Sequence, residues 1–161
     1  MAVVEVVAVL ATMAIAYVAY RRMTVSAKYT AIHELGHAAV CRYYGVDVHQ
    51  VKLNEFGTGG YTTFDWPESV KHHMVIIAAG YVAEEQARGR PIATALRGGQ
   101  YEGDANIMRE LVGNDKEAES VAIAKAAAIL AREDVASCIQ DHVELLVSEG
   151  QIKGSMLTYR R

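Results

Sequence analysis

Two histidines separated by three residues, with a glutamate directly after the first, are the part of this sequence best suited to chemistry. They are His33, Glu34 and His37, in the motif His-Glu-Leu-Gly-His. On a helix, side chains four residues apart lie on the same face, so both imidazoles can reach one metal ion. Glu34 is then placed to accept a proton from a water molecule on that ion. Zinc-dependent peptidases require this H-E-x-x-H spacing.

The residues around the motif predict the helix that this chemistry needs. Small or apolar residues recur with a helical period, at Tyr29, Ile32, Gly36, Ala39, Val40 and Tyr43. Ser26 suits an N-cap and Gly45 suits a C-terminal stop. We therefore predict a metal-binding helix over residues 24–44. An amphipathic helix with two surface histidines is the alternative interpretation.

A catalytic zinc ion usually has three protein ligands and one open position, so a third ligand is expected after His37. Spacing alone does not decide among the candidates, which are Glu68, His72, His73, Glu84, Glu85, Glu102 and Asp104. His72 and His73 lie near the exposed start of a predicted helix, and we interpret them as surface residues.

Length and composition indicate one domain with an N-terminal addition. The chain has 161 residues, of which 52% are hydrophobic. The net charge of −3 gives no reason to expect nucleic-acid binding. The two cysteines, Cys41 and Cys138, form no C-x-x-C motif, and we expect free, buried thiols in a reducing compartment.

The N-terminal part is apolar and is followed by two arginines. Residues 2–20 contain only Glu5 and Thr12 as polar positions, and Arg21 and Arg22 come next. Nineteen helical residues rise about 28 Å, close to the hydrocarbon thickness of a bilayer. We therefore expect residues 1–22 to form a transmembrane helix, with residues 23–161 as a cytoplasmic domain by the positive-inside rule. A core helix of a soluble cytoplasmic protein is the alternative.

The remaining chain predicts a hairpin and several helices. Residues 46–53 and 61–64 resemble two strands joined by a glycine-containing loop. In many zinc peptidases an edge strand beside the metal binds the substrate as an added strand. We expect substrate binding at Gly59, Gly60, Tyr61 and Thr62, where the glycines allow another backbone to approach closely. An ordinary surface hairpin is the alternative interpretation.

Four motifs that occur in the family's order, together with the closing helices, resemble the peptidase domain of the FtsH family, the membrane-bound AAA zinc proteases. Residues 31–40, Ala-Ile-His-Glu-Leu-Gly-His-Ala-Ala-Val, resemble the family's A-Y-H-E-A-G-H-A-V-V. Residues 59–62 resemble its L-G-Y-T strand, and residues 79–85 resemble its G-G-R-x-A-E-E helix end. The closing helices, over residues 127–156, are also similar. Asp104 resembles the aspartate of the family's G-A-x-N-D-L segment.

This resemblance implies a set of roles. Asp104 would be the third ligand of one zinc ion per chain, and Glu34 the catalytic base. Glu84 and Glu85 would be structural residues buried near the metal helix, although an exposed helix end is equally compatible with their sequence. The resemblance also suggests a hexamer. The segment before Asp104 lacks the family's Thr-Gly and Asn, which leaves Glu84 or Glu85 open as the third ligand.

We therefore expect a mainly helical zinc metalloendopeptidase with a small hairpin or sheet. The sequence has no G-x-x-x-x-G-K-[S/T] motif, so an ATPase could act only in trans. The expected substrates are unfolded or extended protein segments. One alternative is a repressor-cleaving metallopeptidase of the ImmA/IrrE type, suggested by the leucine in His-Glu-Leu-Gly-His. Another is a peptidase-like binding or scaffold protein without turnover.

Overall fold

The protein is mainly helical and has one small sheet. The computed structural model describes the backbone of residues 2–96 and 101–157, and the side chains of residues 12–17, 24–96 and 101–157. The elements are α1 (Ala2–Tyr43), β1 (Val48–Leu53), β2 (Gly60–Phe64), α2 (Val70–Ala87), α3 (Glu102–Val112), α4 (Lys116–Leu130), α5 (Glu133–Glu149), β3 (Gln151–Lys153) and a short 3-10 turn (Gly154–Met156). The predicted fold class, helical with a small sheet, is confirmed.

The N-terminal apolar segment and the metal-binding helix form one continuous helix of 42 residues, α1. The prediction of a separate helix capped by Ser26 is therefore wrong, since Ser26 lies inside α1. The physical reason is that neither glycine nor proline occurs before Gly36, so no residue interrupts the helix. Gly45 has φ +72° and follows the last helical turn, as predicted.

The N-terminal half of α1 does not pack against the domain over residues 12–17, because all six of these residues are exposed. Met13, Ile15 and Tyr17 are each more than 60% exposed. Over the part of the chain that the structure describes, no helix meets the length and hydropathy expected of a membrane span. The transmembrane prediction for residues 2–20 falls largely on side chains outside the described residues.

The sheet has three antiparallel strands in the order β2-β1-β3. β1 pairs with β2 as the predicted hairpin, with Val51 opposite Thr62 and Leu53 opposite Gly60. β3 was not predicted, because it is three residues long and comes from the end of the chain. Val51 and Leu53 are buried, so the sheet packs one face on α1 and leaves the other face exposed.

The core forms where α1 crosses α2. α2 is buried continuously from His73 to Glu85, so it lies at the centre of the domain, with α4 and α3 also packed against it. α5 packs against α1. Gly36 lets the two helices approach closely: a Cβ atom there would lie 2.7 Å from the backbone oxygen of Ala79 and 2.7 Å from Cβ of Ala83. The crossing therefore places the motif histidines directly against the α2 backbone.

Candidate metal centre and active site

The two motif histidines lie on the side of α1 that faces α2 and α3. Their ring centroids are 4.8 Å apart, and their Nε2 atoms are 3.2 Å apart. The side chains of His33 and His37 are only 13% and 6% exposed. The four-residue spacing thus brings two imidazole nitrogens to one buried point, which is the geometry that the sequence predicts.

Asp104 reaches the same point from the first turn of α3. Its Oδ2 atom lies 3.1 Å from Nε2 of His33 and 3.3 Å from Nε2 of His37. Among the described residues, these three form a group whose atoms could hold one metal ion. Glu84 and Glu85, the alternative third ligands, do not belong to that group. The structure therefore brings Asp104 to the two histidines and leaves both glutamates outside.

The three residues fit a zinc ion in both geometry and donor type. Zinc binds imidazole nitrogen and carboxylate oxygen at about 2.0–2.2 Å, and a tetrahedron with such bonds separates its ligand atoms by roughly 3.3–3.5 Å. The three separations here are 3.1, 3.2 and 3.3 Å. Oδ2 of Asp104 is also buried and faces both imidazole rings, and a buried carboxylate is unfavourable unless a cation or a hydrogen-bond donor meets it.

The far sides of both imidazole rings have partners that set their orientation. Nδ1 of His37 lies 2.7 Å from the backbone oxygen of Ile76, and Nδ1 of His33 lies 3.3 Å from Oε2 of Glu84. Arg88 fixes Glu84 in turn, with Nε 2.8 Å from Oε1, and packs 3.9 Å above the ring of Tyr29. Such outer contacts turn the Nε2 atoms toward a metal and raise their basicity.

Glu84 and Glu85 are both buried, with relative exposures of 5% and 8%. An exposed helix end, the alternative left open by the sequence, is therefore wrong. Oε1 of Glu85 accepts a hydrogen bond of 2.8 Å from the hydroxyl of Tyr101. The ring of Tyr101 stacks on that of His33 with a centroid distance of 5.7 Å. Each glutamate thus supports His33, one directly and one through an aromatic ring.

The electrostatics of the cluster favour positive charge. Burial lowers the pKa of His33, but hydrogen bonding and charge attraction from Asp104 and Glu84 outweigh it and raise that pKa to about 10. Burial also raises the pKa of Asp104, and the two histidines reverse this and hold it well below its usual range. The pKa of His37 is raised by Asp104 despite burial. A divalent cation satisfies the same demand for positive charge.

Glu34 lies beside this group without belonging to it. The residue is 6% exposed, and Thr62 Oγ1 donates to its Oε2 atom at 2.9 Å. Glu34, His33 and Asp104 line a cavity of about 310 Å³, which Gly60 also lines. The carboxylate therefore faces the same cavity as the metal-binding group, as expected for a base that is not a ligand.

The four residues predicted to bind substrate occupy different positions around this cavity. Gly59 and Gly60 line it, and Thr62 contacts Glu34. Tyr61 is 48% exposed and lines an adjoining cleft of about 980 Å³, which Phe56, Gly59 and Gly60 also line.

The hydrogen-bonding pattern of the hairpin shows which backbone groups of β2 face outward. Asn54 N donates to Gly59 O at 2.8 Å. Because bonded and non-bonded pairs alternate along an antiparallel ladder, Tyr61 is the next residue of β2 bonded to β1. The backbone N–H and C=O groups of Gly60 and Thr62 therefore point to the other edge of β2, where the described residues provide no neighbouring strand.

Gly80 leaves the space on α2 that the two histidine rings occupy, a role that the sequence does not reveal. A Cβ atom at this position would lie 2.6 Å from Cε1 of His37 and 2.7 Å from Nε2 of His33, and Nε2 of His37 would be nearer still. Arg88 and Tyr101 were not predicted as site residues either. A helical glycine inside an otherwise apolar run was the only available sequence signal for Gly80.

The second histidine pair lies outside the site. His72 is exposed and stacks on Tyr44, as predicted for a surface residue. His73 is 4% exposed, so the prediction of a solvated side chain is wrong there. Its ring packs edge-on against Trp66 with a centroid distance of 4.2 Å, because one further residue along α2 turns the side chain toward the domain.

Comparison with known proteins relates the part of the chain that contains His33, Glu34 and His37 to a family of peptidases. A family model described as peptidase M50B-like matches residues 2–84, which include all of α1 and α2 as far as Glu84. No curated protein matches the sequence. The family match supports a metallopeptidase and does not single out the FtsH family. Since it covers more than half of the sequence, the chain belongs to the peptidase M50B-like family.

Proposed function

We propose that the chain is a zinc-dependent endopeptidase that cleaves extended protein segments. The observation that carries this proposal is the group of His33, His37 and Asp104, whose three ligand atoms lie 3.1–3.3 Å apart, close to the separations in a tetrahedral zinc site. Glu34 lies in the same cavity but outside the ligand group. Zinc as the ion agrees with the M50-like family match.

Each residue has a defined part in this reaction. A bound zinc ion supplies Lewis-acid polarisation of the scissile carbonyl and acidifies a water molecule. The Glu34 carboxylate accepts the proton of the attacking water and then donates it to the leaving amine nitrogen. Glu84 and the Ile76 carbonyl hold the histidine rings in one orientation.

The outward edge of β2 supports a preference for extended substrates. The backbone groups of Gly60 and Thr62 point to this edge, and both residues border Glu34. A substrate strand that pairs there gains affinity from main-chain hydrogen bonds, with little dependence on its side chains. We therefore propose broad specificity for unfolded segments. This sequence contains no ATPase motif that would serve to unfold a folded substrate.

We also propose that the N-terminal half of α1 binds a membrane. This proposal is supported by the exposed apolar side chains of Met13, Ile15 and Tyr17 and by the apolar sequence of residues 2–20. The arginine pair that follows favours a cytoplasmic peptidase domain.

The test is zinc content and casein degradation of the wild-type chain and of Glu34→Gln. We expect one zinc ion per chain in both proteins, with activity at least about 100-fold lower in the variant, since a general base contributes roughly 10²–10⁴-fold. Glu110→Gln is the matched control, because Glu110 is exposed and its loss removes one negative charge elsewhere. A Glu34→Gln protein with normal turnover would refute the mechanism.

A further inference from the structure

The hydroxyl group of Thr62 holds the carboxylate of Glu34 from the edge strand. Thr62 Oγ1 lies 2.9 Å from Oε2 of Glu34 and also 2.9 Å from the backbone oxygen of the same residue. We propose that Thr62 is the positioning residue of the catalytic base, and that it aligns this base with a substrate strand on β2. This inference rests on the proposed function, since it concerns the base of that reaction.

The contact restricts Glu34 to one arrangement. A glutamate side chain has several rotatable bonds, and holding it still opposes its conformational entropy. Thr62 Oγ1 is within hydrogen-bond distance of both the carboxylate and the main chain of Glu34, so the side chain must bend toward the strand. Gly60 closes the other side, because a Cβ atom there would lie 2.9 Å from Cγ and 3.2 Å from Oε1 of Glu34.

The same residue also borders the proposed substrate. The backbone of Thr62 points to the outward edge of β2, whereas its side chain points to Glu34. A peptide paired with this edge would therefore contact the backbone of the same residue whose hydroxyl group contacts the base. Correct placement of a reacting group contributes to the rate of the chemical step rather than to binding. Loss of the hydroxyl should lower kcat and leave KM unchanged.

Two substitutions at Thr62 and one at its neighbour test this role. Thr62→Val removes the hydroxyl at nearly constant shape, and Thr62→Ser keeps it. Thr63→Val is the matched control, because Thr63 is on the same strand but its side chain is exposed and its nearest partner is Gln50 O at 3.4 Å. We expect Thr62→Val to retain zinc and KM and to lose about 10- to 100-fold in kcat. Thr62→Ser should stay within about threefold of wild type, and Thr63→Val should be unchanged.

Three kinetic results would overturn the inference. A wild-type kcat in Thr62→Val would show that the base needs no such support. A raised KM with unchanged kcat would assign Thr62 to substrate binding alone. A Thr62→Ser protein as impaired as Thr62→Val would show that the shape of the side chain matters and its hydroxyl does not.

A double-mutant cycle measures the contact without substrate. Thr62→Val and Glu34→Ala are combined in the zinc-loaded protein, and unfolding in denaturant is compared. We expect Thr62→Val to lower the folding equilibrium constant about fivefold more when Glu34 is present than when it is replaced by alanine. If the wild-type protein cleaved nothing, the proposed function would fail, and the coupling energy would still show whether Thr62 and Glu34 interact. Absence of coupling would overturn the inference.

Discussion

Gly80 provides the sharpest test of the metal centre, because a single methyl group there reaches both histidine rings. In Gly80→Ala, the new Cβ atom would lie 2.6 Å from Cε1 of His37 and 2.7 Å from Nε2 of His33. Nε2 of His37 would be nearer still, and ordinary contact begins near 3.4 Å, so the rings must retreat by at least about 0.8 Å. A zinc site tolerates deviations of only about 0.2 Å in its bond lengths.

The helix cannot easily absorb this displacement. Nδ1 of His37 is held by the backbone oxygen of Ile76 on the same helix α2, and Gly36 already brings α1 into close contact with Ala79. We therefore expect zinc affinity to fall by more than the roughly 10- to 100-fold that accompanies loss of an outer-shell partner. The fold should survive, because crowding costs about 1–3 kcal/mol and alanine recovers about 1 kcal/mol of helix propensity over glycine.

The assay is zinc affinity by competition with a chromogenic chelator, combined with thermal unfolding with and without zinc. Gly103→Ala is the control, because Gly103 precedes Asp104 on α3 and a Cβ atom there meets nothing within 4 Å. Gly80→Ala should unfold at the same temperature with or without zinc, whereas Gly103→Ala should still be stabilised by it. Wild-type zinc affinity in Gly80→Ala would refute the placement of the rings against α2.

Two further predictions concern buried polar groups. Glu84→Gln keeps the shape of the side chain but removes the charge beside Nδ1 of His33. Zinc affinity should therefore fall about 10- to 100-fold in the same chelator assay. Unchanged affinity would mean that Glu84 does not support His33 as a ligand. Burial lowers the pKa of His73, so the unfolded chain binds a proton there more readily, and the free energy of unfolding must decrease as the pH falls below about 6.5. His73→Phe should flatten this dependence between pH 7 and pH 5 in urea titrations under matched metal conditions, and equal slopes in the two proteins would contradict the assignment.

Sequence reasoning works for this site where the chemistry is local. His33, Glu34 and His37 are close in the chain, and helical spacing alone predicts that the two imidazoles converge. Asp104 is distant in sequence, and only the resemblance to a known family distinguished it from Glu84. The structure then provides a physical reason, since α3 delivers a carboxylate oxygen to both Nε2 atoms.

The features that the sequence does not predict all depend on packing between elements. The close approach at Gly80 exists only because α1 crosses α2 at that residue. The contacts of Thr62 Oγ1 with Glu34 depend on the position of β2 against α1. β3 pairs with β1 although the two strands are far apart in sequence, and no local pattern indicates this pairing. His73 is buried although its neighbour His72 is exposed, a difference of one position in helical phase.

The unbroken course of α1 makes it a rigid spacer with a fixed length. His33 lies thirteen positions after Tyr20, the end of the apolar segment, which corresponds to about 20 Å along the helix axis. With that segment held in a bilayer, as proposed above, catalysis is confined to a thin layer about 20 Å from the end of the segment. An extended chain leaving the membrane covers that distance in about six residues. On that proposal, the length of the helix would set how far from the lipid a polypeptide is cut, independently of the side chains at the cleavage site.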